Sequence, residues 1–186
     1  GVAWNGLVSV SEAPSGAEAT AQYADNIKYL NLVSAEEFGG TIEAFTCPPE
    51  FSACDGLAEP SDGLTVGQQT RSTFGLSYRT KVGNDLAGQD AGYKLHLVYG
   101  LLASPSEKAY QTVNDSPEAM TLSWEVTSTP IPVNDALKPT SIITVDSTKV
   151  DAADLAALEK LLYGAPAGAG GTPAETFASL PLPAAV

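Results

Sequence analysis

Basic side chains are scarce in this chain. Its 186 residues hold nine Lys and Arg against 22 Asp and Glu, for a formal net charge of −13. A surface of that sign repels a phosphate backbone, which argues against ordinary nucleic-acid binding; the plainest alternative is that acidity serves solubility. Histidine is limited to His96, and the two cysteines, Cys47 and Cys54, lie seven apart in "CPPEFSAC". That set matches neither a CxxC pair nor a four-ligand zinc pattern. Two helical turns apart, the thiols read most simply as buried apolar groups in a reducing compartment, with a disulfide as the alternative. No apolar run approaches the roughly 18 residues that span a bilayer, so no membrane contact is expected. The opening "GVAWNGLVSV" has no basic region ahead of an apolar core, and Asn5 stands where a myristoylation motif needs Ser or Thr. Neither a secretory leader nor a lipid anchor is expected.

What is present is alternation. The length fits one domain with an extra segment, or two small ones. In "RSTFGLSYRTKV" Phe74, Leu76, Tyr78 and Val82 share one face, opposite Arg71, Thr73, Ser77, Arg79 and Lys81. In "AMTLSWEVTST" Met120, Leu122, Trp124 and Val126 oppose Thr121, Ser123, Glu125 and Thr127. Over 93–99 the pattern turns Tyr93, Leu95, Leu97 and Tyr99 inward and Lys94 and His96 outward. Period-two patterning with one wettable face points to antiparallel sheets. Further strands are expected at 7–12, 18–24, 27–34, 40–46 and 141–147. The fold class is therefore mainly β, an antiparallel sandwich or barrel with one or two short helices.

One short helix is expected in "PPEFSACDG", where prolines suit the first turn and Gly56 stops it. A second is expected in "DAADLAALEKLLYG", with Asp151 as cap, Leu155, Leu158 and Leu162 as its apolar stripe, and Gly164 as stop. Residues 55–69, "DGLAEPSDGLTVGQQ", read as a long loop too polar for a core. The tail from 164 to 186 has 15 Gly, Ala or Pro among 23 residues, the composition of a linker. The domain reading is a β domain over 1–163 and a C-terminal extension over 164–186. The tail's large apolar groups, Phe177, Leu180 and Leu182, are expected to pack on a neighbouring chain.

No constellation for catalysis emerges, so the chain is not read as an enzyme and no cofactor or metal is expected. His96 has no GxSxG or reactive-cysteine context. "GAPAGAGG" lacks the Lys-Ser/Thr of a phosphate loop and follows a helix. Asp55, Glu59 and Asp62 do not have the spacing of a calcium-binding EF-hand loop. Glu36 and Glu37 are adjacent on a strand and point to opposite faces. "NDS" at 114–116 matches a glycosylation acceptor, but no leader supports it. Charge is uneven: residues 1–69 carry ten acids and one base, Lys28, net −9, whereas 70–186 carry twelve acids and eight bases, net −4.

Several stretches in sequence resemble the major tail proteins of long-tailed bacteriophages, the subunits of the tail tube. They are "YADNIKYLNLVSAEEFGGTIEAFTCPPEF" (23–51) and, within 70–133, "GYKLHLVYG", "ASPSEKAYQTVNDSPEA" and "LSWEVTSTPI". The likeness covers residues 1–163. It implies a β-sandwich assembling into hexameric rings that stack as a tube, with strands from all subunits pooled into one inner barrel. It further implies a virion protein made in the bacterial host cytoplasm, in a tail more akin to the non-contractile kind. Its partners would be further copies of itself, a tape-measure protein enclosed in the lumen, and tail terminator and distal tail proteins. DNA would pass through the lumen without specific binding.

On that reading Glu43 and Glu125, each on the polar face of a strand with an apolar reverse, are the lumen candidates. Contacts between subunits and rings are expected from the 55–69 stretch, through Asp55, Glu59 and Asp62, from the termini, and from the basic face of Arg71, Arg79 and Lys81. The rival reading is a monomeric β-sandwich, either an immunoglobulin-like adhesion domain or a head-decoration module, to which alternating strands would be equally suited.

Overall fold

A computed structural model describes residues 1–85, 88–110, 112, 119–134, 136–165, 180–183 and 186, with backbone only at 89 and 90. The glycosylation-like 114–116, most of the Gly-rich 164–171 and Phe177 lie outside the described residues. Among the described residues the fold is mainly β, with antiparallel strand pairs and one α-helix. Two compact units divide the chain: one comprises Trp4–Arg71 and Leu102–Thr129, the other Gly1–Ala3, Ser72–Leu101 and Pro130–Val186.

The first unit is built on a long hairpin. Its rising side is β1 (Leu7–Glu12), β2 (Ser15–Gly16) and β3 (Ala19–Ala24); its returning side is β4 (Ile27–Val33), β5 (Glu36–Glu37) and β6 (Gly39–Ala44). The sides pair from Leu7↔Ala44 through Ser15↔Glu37 to Ala24↔Ile27. Asp25 and Asn26 close it with φ of 52° and 63°. Two left-handed residues suit a tight hairpin turn, and Asp and Asn tolerate that conformation best after glycine. Gly16, at φ +83°, is demanded by space as well, since a Cβ there would lie 2.3 Å from the Ala35 carbonyl oxygen.

A 3₁₀ helix over Pro49–Ala53 follows, where the sequence suggested a helix, with Pro at its first turn. Next come β7 (Ala58–Ser61) and β8 (Leu64–Val66), which pair with each other. The expected loop is thus a hairpin, turned by Asp62 and Gly63, with Gly63 at φ 78°. β6 also pairs with β11 (Leu122–Ser128), so β1, β6 and β11 are consecutive antiparallel strands of a six-stranded sheet. Alternation buries one face of these strands: Ile42, Ala44, Trp124 and Val126 are almost wholly shielded. Trp4, Phe51 and Trp124 stack against one another, with centroids 4.7–5.4 Å apart, in tilted and edge-on geometries. Met120, expected inside with them, is exposed and lies ahead of the strand.

In the second unit β10 (Gly88–Ala103, whose last two residues belong to the first unit) runs between β9 (Phe74–Asn84) and β12 (Ile142–Asp146). The helix α1 (Ala152–Tyr163) covers one face. Leu155 and Leu162 bury against Leu95, Leu97, Tyr99 and Val145, with Leu158 packed alongside. The Asp151 carboxylate accepts from Ala153 N at 2.8 Å, and Gly164 N closes the helix on Lys160 O at 2.9 Å. Cap, stripe and stop stand where the sequence put them.

Candidate interaction surfaces

The polar face of β1, β6 and β11 follows from strand registry. Ser9 stands opposite Glu43, which stands opposite Ser123, and Ser11, Thr41 and Glu125 form the next row. Glu43 and Glu125 therefore share one side of one sheet, as diagonal neighbours about 7 Å apart. Ser9 Oγ donates to Glu43 Oε2 at 2.9 Å, and Glu125 is exposed. The side chains in these rows are hydroxyls and carboxylates alone.

The acids of the 55–69 stretch do not act together. Asp55 follows the 3₁₀ helix with its side chain only 9% exposed, 3.5 Å from Arg71 Nη1 and 2.6 Å from Lys108 Nζ. Arg71 Nη1 also donates to Ala103 O at 3.0 Å. Asp55 and Arg71, proposed from sequence as contacts to other subunits, are thus engaged with each other inside one unit. Lys108 was not foreseen; it lies 53 residues from Asp55 and nothing in the sequence links them. Glu59 and Asp62 remain at the surface on the β7–β8 hairpin, where Glu59 Oε1 accepts from Gly63 N at 3.0 Å.

Cys47 is exposed and Cys54 buried, and both are free thiols. The reading of two buried thiols therefore holds for Cys54 alone, because Cys47 precedes the 3₁₀ helix instead of lying on it. Partial desolvation raises both thiols above their ordinary pKa; at Cys47 nearby Lys108 opposes this and Asp55 adds to it. Among the described residues no cluster of three or more His, Cys, Asp or Glu could hold a metal ion.

Registry also corrects the face assigned to β9. Leu95 pairs with Arg79 and Leu97 with Ser77, so the polar residues of β9 lie on the helix-covered face. The apolar Leu76 and Tyr78 share the opposite side with His96 and Val98. Arg79, expected at a subunit contact, is bound within its own unit. Its guanidinium lies 4.4 Å from the Tyr93 ring centroid, and its Nη2 is 3.1 Å from Glu159 Oε1 on α1. Tyr93 Oη donates to the same carboxylate oxygen at 2.8 Å, and Ser77 Oγ and Tyr163 Oη lie 3.0 Å apart. Lys81 is exposed on the same strand. On the reverse side His96 stacks on Tyr78 at 4.7 Å, with Nε2 2.9 Å from Thr80 Oγ1.

Of the tail, the described Leu180 lies on a core of its own unit. Leu180 packs against the Leu95–Leu97–Tyr99 cluster, and its Cδ2 lies 3.0 Å from where a Cβ on Gly75 would stand. Leu180, expected to pack on a neighbour, is half-buried on its own chain, where the bare Gly75 backbone leaves a seat for it. Leu182 is 66% exposed.

Compared with known protein families, curated proteins and solved structures, the chain matches none. The surfaces themselves must carry the functional reading. One further surface was not singled out from sequence. Among the described residues β3 and β4 pair only with each other, and every residue in them except Ala21 is exposed. The signal was available in "YADNIKYLNLV", whose apolar residues follow neither a clean alternation nor a helical period.

Proposed function

We propose that this chain is the repeating subunit of a bacteriophage tail tube. Copies close into hexameric rings, rings stack head to tail, and the lumen holds the tape-measure protein before conducting DNA into the host. The observation that carries the reading is the polar face of β1, β6 and β11, three strands that hold no Lys or Arg. Its reverse is a buried core of Ile42, Trp124 and Val126, while the opposite face presents Ser9, Ser11, Thr41, Glu43, Ser123 and Glu125, with Ser11 and Glu125 exposed and the other four half-buried. Hydroxyls and carboxylates make a wet wall that repels phosphate and gives passing DNA no counterion-release affinity.

Pooling sheets from many copies would also remove the strand edges that a lone subunit exposes. A contact that closes laterally gives a ring, and one that repeats axially gives a tube. Negative-stain microscopy of the purified protein at high concentration tests the reading. Rings or tubes with a central channel are expected; featureless single particles at every concentration would overturn it in favour of a monomeric module.

A further inference from the structure

We infer that the distal hairpin, β3 with β4, is an arm that docks into a second copy of this chain. Five of its residues sort by registry. Ile27, Leu30 and Leu32 fall on one side, paired with Ala24, Gln22 and Thr20, while Tyr23 and Val33 fall on the other, with Lys28 and Ala19 as their partners. The register skips Tyr29, which bulges out between the pairs. Tyr23, Ile27, Tyr29 and Val33 are 61–73% exposed, and Leu30 and Leu32 are 40% and 57% exposed. A hairpin that borders solvent normally keeps one polar face; this one carries large apolar groups on both, beside Thr20 and Gln22 on one side and Lys28 and Asn31 on the other.

Size and stability both call for a cover. Six large apolar side chains, each 40–73% exposed, lie on one two-stranded hairpin and are divided between its two faces, more than the singly scattered apolar residues normal at a surface. A two-stranded ribbon is also marginal in water without a third strand or a packed face. Apolar groups on both sides suit insertion between two surfaces better than lying on one.

Charge selects the occupant. The chain carries −13, so two copies repel over most of their surface, yet residues 19–33 hold one acid, Asp25, and one base, Lys28, and are neutral. At this place an acidic chain can meet itself without like-charge cost. A basic partner would select an acidic patch, and a phosphate-bearing one a basic patch; the arm is neither. The inference deepens the tube reading by naming the surface through which copies engage, but it concerns self-association alone.

The test compares the native chain with Leu30→Asp/Leu32→Asp and, separately, Tyr23→Ser/Tyr29→Ser. All four side chains are exposed, so circular dichroism and melting of the monomer should match the native protein. Sedimentation velocity and negative stain then read assembly. Native protein that multimerises while both variants stay monomeric at tenfold higher concentration is the expected result. Lys28 is the sole Lys or Arg before Arg71, so trypsin should release fragment 1–28 from monomers and be slowed at least tenfold in assemblies. Variants that assemble like the native chain, or cleavage at Lys28 equally fast in both states, would overturn the arm while leaving the tube reading intact. Arm-dependent dimers without rings would support the arm and overturn the tube. A native chain monomeric at every concentration would overturn both.

Discussion

Trp124 shows how a single residue is fixed by its surroundings. It is fully shielded, its ring meets Trp4 and Phe51 edge-on, and its indole N–H has no hydrogen-bond partner among the described residues. Packing therefore carries it, and Trp124→Ala should cost about 3–5 kcal/mol in urea unfolding. Tyr93 is held differently. Its hydrogen bond to Glu159, followed by desolvation and the carboxylate's charge, raises its pKa above that of a free tyrosine. The folded state therefore grips this proton more tightly than the unfolded chain. The resulting stability is complete below the unfolded value near 10 and is lost as pH rises through the higher folded one. Tyr93→Phe should be less stable by about 0.5–1 kcal/mol at neutral pH. The gap should shrink in melts above about pH 10; a gap independent of pH would show that the hydroxyl does not hold α1.

Among the elements, the C-terminal segment and the β7–β8 hairpin have opposite expected roles. Leu180 is partly buried on the core of its own unit. Truncation after Gly164 should therefore destabilise the subunit itself by about 1–2 kcal/mol, below the full value for a buried leucine. Leu180→Ala should reproduce most of that loss in monomer unfolding. If monomer stability is unchanged, the segment does not belong to the fold. The β7–β8 hairpin is exposed at every strand residue, so its loss removes no core. Deleting 57–66 should leave melting within about 0.5 kcal/mol and weaken assembly. Normal tubes from that variant would exclude the hairpin from the contacts.

For the whole molecule, the decisive quantity is the charge of the wall. Glu43 and Glu125 share a face, so Glu43→Lys/Glu125→Lys would set two cations per copy where DNA is proposed to pass. Assembled double variant should retain DNA at low salt and release it steeply as salt rises, since each neutralised phosphate adds about 0.9 to the salt slope. Native assemblies should retain none. Equal, negligible retention by both would place this face away from the channel.

Much of the architecture was legible in the residues. Alternation marked the strands, and Asp151, Leu155, Leu162 and Gly164 marked the helix, because side-chain direction and terminal capping are local properties of the backbone. The β7–β8 hairpin was legible too, in the Asp62-Gly63 pair, but the polarity of its flanks hid it. Facing and partnership were not local. Whether Arg79 meets solvent or Glu159 depends on which residue of β10 stands beside it, and a one-residue shift of registry would reverse the answer. The Asp55–Lys108 pair and the seat of Leu180 on Gly75 likewise join positions far apart in sequence. Local chemistry decided which segments extend or coil; the packing of distant segments decided which charges are already paired and which apolar surface is left for another molecule.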